Sequence, residues 1–335
     1  MPTQTKRQNL RPIAGQNRRQ DSGQEPQQNH RIVADFGATH VRIAIAHGPH
    51  LLDSPQVFAT ADVDDSAAWF AEFVAKDSAV IHSLRAAVAG PVDNQDVTLT
   101  NLGLRLNAQD IANKTGIKDV RLLNDAHAAV LGTRVLPKQT CEMLHAGEPV
   151  GDQVALLAVG TGLGVAGRIG KDTVVSGEGG HIALPPPRDP DLAAVWQILR
   201  GEYSRVSAER IISGAGLFEV AEVHARLAGE PFAHADGKQV MRAALEGRCR
   251  HAHAAALGLL ESLGVAAASV ALVLGARRGV YLAGGMMTRL RPLIASSRLR
   301  EAFHIGGRME NYISKIPLIL VDEPFLALRG CAVAR

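Results

Sequence analysis

Aromatic side chains are scarce: Trp, Tyr and Phe together make up 4% of the 335 residues. Net charge is scarce as well. The formal +3 arises in residues 1–30, where Lys6, Arg7, Arg11, Arg18 and Arg19 face Asp21 and Glu25, which leaves 31 charges of each sign in the remainder. A neutral body with few stacking rings lacks both the field and the platforms of a nucleic-acid reader, so no nucleic-acid partner is expected. Cysteine is limited to Cys141, Cys249 and Cys331, widely spaced and without a CxxC pair. That usage fits a reducing compartment and speaks against a disulfide framework or a structural zinc. The opening residues hold no apolar run of the kind a secretory signal needs. The longest apolar stretch, 262–276 between Glu261 and Arg277, falls short of the roughly 20 residues of a membrane span. The chain thus reads as cytoplasmic, with no membrane partner and with a buried helix in that stretch.

What is present is a large apolar fraction, 46%, against 21% charged residues, enough to bury a substantial core and, at this length, to build two domains. Residues 1–30 carry seven glutamines and no hydrophobic period; they are expected to form a disordered extension. Order is expected from Arg31, where IVADFGATHVRIAIAHG reads as two strands joined by a turn at Gly37. Asp64 to Lys76 spaces Trp69, Phe70, Phe73 and Val74 as one face of a helix, with acidic residues crowding its first turn and the aromatics in the core. Strand patterns follow at 84–89, 120–123 and 154–159, a helix is expected from about Ala126, and 191–276 reads as mostly helical. GVYLAGG (279–285) and PLILV (317–321) return to buried-strand composition. Alternating strands and helices argue for α/β layers with two sheets. DFGAT after one strand and VGTG after a later one look like a single phosphate-binding device used twice, facing one cleft.

Several residues could carry chemistry. In GTGLG (160–164) the glycines let backbone amides approach a phosphate, and Thr161 adds a hydroxyl. Gly162, Gly164 and Gly167 also satisfy GxGxxG, but the residues that follow read as strand, turn and strand, without the helix a dinucleotide site requires. A Walker A loop fails because Gly170 and Lys171 precede Asp172. A plain hairpin entry accounts for the same residues. In LLNDAHAAV, Asn124 and Asp125 end a strand and open a helix, where either could serve only as a cap. Local evidence favours the cap, although a carboxylate at a strand's carboxyl end also lies where α/β sheets bind ligands and could take the proton of an attacking hydroxyl. In SGEGGHIAL, Glu178 and His181 flank two glycines and suit sugar hydroxyls, which both donate and accept; an ordinary turn fits as well. Glu209 stands where it could complement the positive end of a helix starting near Ser207.

Taken in order, the segments DFGATHVR (35–42), AVAGPV (87–92), LTN (99–101), LLND (122–125), GTGLGVAG (160–167), GEGGH (177–181), VSAERIISGAGL (206–217), GVYLAGG (279–285) and GRMENYISKIPL (307–318) resemble the bacterial glucokinase family, part of the actin, hexokinase and Hsp70 ATPase superfamily. The resemblance runs from about Ile32 to the end. It implies a two-domain actin-like, ribonuclease H-like α/β fold with a cleft between a small domain (31–135 plus 322–335) and a large one (136–321). It implies transfer of the γ-phosphate of ATP to the 6-hydroxyl of glucose, with Asp125 as general base and Asn124, Asp125, Glu178, His181 and Glu209 on the sugar. Asp35 with Gly37, Ala38 and Thr39 would serve one phosphate site, Asp35 lying beside Mg²⁺ through water. Gly160, Thr161, Gly162 and Gly164 would serve the other, and Gly284 and Gly285 would lie against the adenosine. The family also implies a homodimer. For a loose phosphoryl-transfer transition state positioning matters more than basicity, so Asp125 is expected to work near an ordinary pKa of ~3.9.

The chain departs from the family pattern at Ala38 and His40 in the first loop, where a glycine at position 38 would matter if the backbone there had positive φ. Leu104, Leu106, Ala126 and Ala183 also depart, several of them expected to flank the sugar pocket. These leave the preferred hexose open, with a mannose, fructose or amino-sugar kinase as one alternative. A weakly catalytic sugar-binding regulator is the other. The related repressor, open-reading-frame and kinase family would carry a cysteine-rich zinc motif near its sugar-binding histidine, which this sequence does not show.

Overall fold

The alternation of short β-branched runs with small-residue helices yields two mixed sheets. The structure is a computed structural model describing residues 30–76, 80–99 and 102–335. Except for His30, the expected N-terminal extension lies outside the described residues, as do Thr100 and Asn101 of the LTN segment. The strands in chain order are β1 (His30–Phe36), β2 (His40–His47), β3 (Gln56–Ala59), β4 (Ile81–Val88), β5 (Asp96–Leu99), β6 (Leu104–Asn107) and β7 (Asp119–Asn124). There follow β8 (Cys141–His145), β9 (Val154–Val159), β10 (Leu163–Ile169), β11 (Thr173–Gly177), β12 (Gly279–Ala283) and β13 (Leu318–Val321). The first sheet has the order β3-β2-β1-β4-β7 and the second β11-β10-β9-β12-β13-β8; β5 and β6 form a separate ribbon.

Leaving β8 aside, the two sheets share one plan. In each, a three-stranded antiparallel meander supplies one half and two further strands run parallel to its first strand. β1 pairs antiparallel with β2 and parallel with β4, as β9 pairs antiparallel with β10 and parallel with β12. The turn 37–39 after β1 and the turn 160–162 after β9 therefore hold equivalent positions, which gives the repeated glycine motif a topological basis. The Gly162-x-Gly164-x-x-Gly167 run enters the β10–β11 hairpin rather than a helix, as its strand-turn-strand pattern predicts.

Three local expectations need correction. Strand β1 begins at His30, one residue before the expected start of order. The acidic residues ahead of Trp69 do not lie in a first helical turn: the helix is Ser66–Ala75, and Asp65 caps it by accepting from the amides of Ala67 and Ala68. An aspartate is worth more as a cap that satisfies orphan N–H groups than as a helix residue. Phe70 is fully buried, and Trp69 and Phe73 pack around it in the first sheet's core. The apolar stretch expected at 262–276 is part of a longer helix, Arg250–Leu274, because alanines and histidines extend the helical run back to a Cys249 cap. By length and composition that helix could cross a membrane, yet 67% of its most apolar window is buried within the protein. Its buried Glu261 accepts the amide of Arg188 at 3.0 Å.

One core gathers buried side chains from Ile32 to Leu122 around the first sheet, and a larger one gathers those from Leu144 to Leu320 around the second. Two helices join them. Helix Asp125–Gly132 turns Ala126, Ala129 and Val130 toward the second sheet and Ala128 toward the first. The C-terminal helix Leu326–Val333 crosses it, and glycine makes the crossing possible in both directions. A Cβ on Gly132 would stand 2.3 Å from the carbonyl oxygen of Leu326, and one on Gly330 would stand 1.7 Å from that of Ala128. Arg31 then anchors the far end, donating to the carbonyls of Cys331, Ala332 and Ala334, a cation at a helix C-terminus where the dipole favours it.

This backbone contact is directly testable. Gly330→Ala should separate the two helices and destabilise the fold by at least about 2 kcal/mol, the scale of an overpacked core. Denaturant unfolding of the variant measures the loss, and an unchanged midpoint would mean the crossing is looser than described.

Candidate active site

The parallel strands of the first sheet end in register, Phe36 beside Val88 and Val88 beside Asn124. Their carboxyl ends thus share one edge, the side on which open α/β sheets bind ligands. Asn124 is the N-cap of the following helix. Its side-chain oxygen accepts from the amide of His127 at 3.1 Å, and its Nδ2 donates to the carbonyl of Gly90 at 3.1 Å. The cap reading is therefore right for Asn124, which also ties the end of β7 to the turn after β4.

Asp125 is the first residue within that helix, and its Oδ1 accepts the amide of Ala126 at 2.7 Å. Its pKa is raised to about 6, chiefly by burial; the hydrogen bond from Ala126 acts against that rise, and the negative charges of Asp35 and Glu178 add to it. The expectation of an ordinary carboxylate is thus corrected: desolvation outweighs the favourable helix end. The same effect brings the residues together, since Asp35, from the first sheet, and Glu178, from the second, both lie close enough to act on Asp125.

Asp35 sits near the end of β1, opposite Arg42 on β2, and accepts from its Nη1 at 3.1 Å. Burial pushes its pKa up while Arg42 pulls it down. The turn that follows is held by the amide of Gly37 donating to His40, by the hydroxyl of Thr60 donating to Gly37, and by the amide of Thr60 donating to Thr39. Ala38, Thr39 and His40 are exposed. Among described non-glycine residues only Asn94 and Gln95 have positive φ, so alanine at 38 carries no backbone strain.

The second turn is held by close backbone contacts, and a Cβ would crowd Gly162, Gly164 and Gly284, though not Gly160. The amide of Gly160 donates to Gly162 at 2.9 Å, and that of Gly214 donates to Gly160 at 3.1 Å. Gly164 faces Ala126, with a built Cβ only 3.2 Å from that of the alanine, which sets this turn beside the start of the Asp125 helix. Gly284, at φ +100°, approaches Val159 so closely that a Cβ would meet its carbonyl oxygen at 2.3 Å. Thr161 and Gly285 are exposed.

Sequence reasoning gave no role to Gly214 and Gly237. They open the helices Gly214–Leu227 and Gly237–Leu245, and a Cβ on Gly237 would fall 2.1 Å from the carbonyl oxygen of Gly214. With Gly285, which opens Gly285–Ile294, three helix N-termini gather near the Gly160 turn, an arrangement favourable to anions. The signal was present as Ser213 and Asp236, each an N-cap directly before a glycine.

The adjacent glycines Gly179 and Gly180 of GEGGH serve packing. A Cβ on Gly180 would stand 2.2 Å from the carbonyl oxygen of Leu163, and one on Gly179 2.8 Å from Val165. They press the segment onto β10 and leave Glu178 and His181 exposed beside it, with His181 Nε2 4.0 Å from Glu178 Oε2. Glu209 lies in the short helix Ala208–Ile211, capped by Ser207 as expected. The amide of Ala208 donates to Ile182, which brings that helix alongside His181. Glu209 itself turns to the glycine turn, where its Oε2 accepts from the amide of Leu163 at 2.9 Å. Three of the departures prove to be core positions, since Leu104, Leu106 and Ala126 are at most 6% exposed. They bear on the packing of the first sheet and of the Asp125 helix, while Ala183 remains exposed.

A family model described as Glucokinase matches residues 32–335. A curated glucokinase of Caulobacter vibrioides (strain NA1000 / CB15N) is 34% identical over 321 residues, covering 90% of this chain and 94% of that one. The crystal structure of a glucokinase from an Antarctic psychrotroph matches with a TM-score of 0.81 and 28% identity, over 91% of this chain and 98% of that one. A ROK family glucokinase from Streptomyces griseus, solved in complex with glucose and AMPPNP, matches at 0.63 and 20% identity over 90% and 98% of the two chains, a likeness of fold alone. A family match across nearly the whole described chain, laid over twin mixed sheets with a glycine turn at the same place in each, places this protein in the glucokinase family, with its actin-like α/β fold.

Proposed function

We propose that this protein transfers the γ-phosphate of ATP to the 6-hydroxyl of D-glucose, with Asp125 as general base, in a cleft between residues 31–135 with 322–335 on one side and 136–321 on the other. The observation that carries this reading is the placement of Asp125: a largely buried carboxylate at a helix N-terminus, under the charge of Asp35 from one sheet and Glu178 from the other. The Streptomyces griseus neighbour, solved with glucose and AMPPNP, supports the choice of substrates.

Oδ1 of Asp125 is occupied by its own helix, so Oδ2 takes the alcohol proton as the sugar oxygen bonds to phosphorus and the bond to the ADP oxygen breaks. A pKa of about 6 leaves about nine-tenths of the carboxylate ionised at pH 7 and a stronger acceptor than an ordinary aspartate. Asn124, Glu178, His181 and Glu209 hold the remaining hydroxyls, orienting the 6-hydroxyl for in-line attack. The phosphates rest on the Gly37–Thr39 turn and on the Gly160–Gly164 turn, and Gly284 and Gly285 lie against the adenosine.

Magnesium enters as part of the nucleotide substrate. Among the described residues no cluster of three or more His, Cys, Asp or Glu side chains could hold a cation unaided. One half-buried carboxylate, Asp35, only partly neutralised by Arg42, fits a cation carried mainly by phosphates and touched through water. The cation offsets phosphate charge at transfer. The family resemblance and the scarcity of cysteine support a cytoplasmic homodimer acting at the entry of glucose into glycolysis.

A coupled ADP-release assay over a panel of hexoses should show turnover that requires glucose, ATP and Mg²⁺, with mannose, fructose and glucosamine slower. Equal rates on all four sugars, or none on glucose, would overturn the assignment. Asp125→Asn should lower kcat by about 10²–10⁴-fold, the usual worth of a general base, while glucose binding measured by calorimetry stays within about threefold, below the worth of one lost hydrogen bond. In the wild type, kcat/KM should fall with unit slope below about pH 6, the pKa to which burial raises Asp125 in the free enzyme.

The raised pKa also fixes a stability effect. A carboxyl whose folded pKa exceeds the unfolded one stabilises the fold relative to its ionised state at low pH, and that contribution is lost as pH rises through about 6. Asp125→Asn should therefore be more stable than the wild type at pH 7.5, by about 1–3 kcal/mol for a shift of roughly two units. The difference should vanish near pH 4; a variant less stable than the wild type at pH 7.5 would contradict the cost of burying that charge.

A further inference from the structure

The contact between Glu209 and the glycine turn is not required by a role in holding sugar. Glu209 Oε2 accepts from the amide of Leu163 at 2.9 Å, and it reaches that amide across the bare α-carbon of Gly162. A Cβ at 162 would lie 2.5 Å from Oε2 and 3.2 Å from the carboxyl carbon, closer than real Cβ contacts allow, whereas Oε1 would stand 3.9 Å away. One carboxylate oxygen is thus committed to the turn and the other is directed away from it. Glycine at 162 has φ outside the left-handed region, so it is not the turn's conformation that excludes a side chain there. What excludes it is the carboxylate.

The surroundings fix Glu209 from its own side. The short helix Ala208–Ile211 is capped by Ser207, its first amide donates to Ile182, and Gly214 just beyond it donates to Gly160. Glu209 is therefore carried on a segment pinned both to Ile182, directly after His181, and to the start of the glycine turn. A charge-assisted hydrogen bond from a backbone amide is one of the stronger means of holding a loop.

We propose that Glu209 is a positioning residue for the nucleotide: through Leu163 and across Gly162 it sets the conformation of the 160–164 turn, and so links the sugar side of the site to the phosphate side. The proposal rests on the kinase reading for what the turn binds, but not for the contact itself. Glycine at 162 and glutamate at 209 then form a pair, each of value because of the other.

The test uses the full chain and binding of Mg–AMPPNP without sugar, measured by calorimetry. Glu209→Ala should weaken AMPPNP by about tenfold, the worth of a hydrogen bond to a charged group. Glu209→Gln, whose side-chain oxygen still accepts from Leu163, should bind AMPPNP at least as well as the wild type while losing affinity for glucose. Gly162→Ala, which displaces the same carboxylate, should match Glu209→Ala, and the double variant should be no weaker than either single one, because the two changes remove one interaction. Amide hydrogen exchange over 160–164 should quicken in Glu209→Ala and stay slow in Glu209→Gln. Wild-type AMPPNP affinity in Glu209→Ala, or additive losses in the double variant, would overturn the proposal. Should Glu209→Ala fail to fold, Gly162→Ala decides alone, and wild-type affinity in it is equally fatal. If the wild type binds no AMPPNP, the kinase reading fails; unchanged exchange over 160–164 in Glu209→Ala defeats the positioning role whatever the protein phosphorylates.

Discussion

The site depends on one carboxylate kept out of water between two sheets. Asp125 stands where β7 ends and its helix begins, and that helix must bury one face against each sheet. Ala126, Ala129 and Val130 pack on the second sheet and Ala128 on the first. No larger residues would let both sheets approach the same turn of helix, and a shift of either would return Asp125 to solvent. Small side chains here are a requirement of geometry. They convert the meeting of two cores into a dry, precisely placed acceptor, at a cost in stability that the surrounding packing must offset.

The repeated sheet plan explains why glycine turns occur twice and face each other. A meander followed by parallel strands places the first hairpin turn of each sheet beside the carboxyl ends of the parallel strands. On the proposed function, two copies set with these edges together would present two backbone cradles to one nucleotide. The crossing of the Asp125 helix with Leu326–Val333, glycine against carbonyl in both directions, fixes how the copies meet. Because Arg31 in β1 grips the last turn of that C-terminal helix, the beginning and end of the described chain close the same joint.

Much of this could be read from residue order. Strands β1, β2, β9 and β10 were visible in their β-branched runs, the helical region in its spacing, and Asn124, Glu178 and Glu209 in their places near element ends. What escaped the sequence depends on neighbours remote in the chain. The elevation of the Asp125 pKa comes first from burial by the packed sheets and then from Asp35 and Glu178, 90 and 53 residues away in sequence. The glycines of GEGGH look like turn formers, but β10 passes against them, and nothing local announces that strand. The helix Arg250–Leu274 reaches well ahead of the apolar run at 262–276 because alanine and leucine sustain a helix through its histidines. Leu104, Leu106 and Ala126 looked like pocket residues by analogy and are core by position, since burial is decided by the fold and not by proximity to a motif.

The charges contributed by the site residues pose a last question. Asp35, Asp125, Glu178 and Glu209 are all acidic, yet a nucleotide triphosphate is a polyanion. The arrangement divides the work by chemistry. Carboxylates suit hydroxyl groups, which need acceptors, whereas phosphates need donors, and here those come from the backbone: glycine-rich turns with accessible amides and the N-termini of helices opening at Gly214, Gly237 and Gly285. Backbone donors are fixed by the fold and carry no side chain whose ordering would cost entropy on binding. Such a site accepts phosphate best when a cation accompanies it, because the cation offsets the carboxylates on one side and the phosphate oxygens on the other. On the proposed function the same division explains the sequence signature, in which glycines and Asp35 mark the phosphate side and Glu178 and Glu209 the sugar side, with the contact of Glu209 to Leu163 between the two.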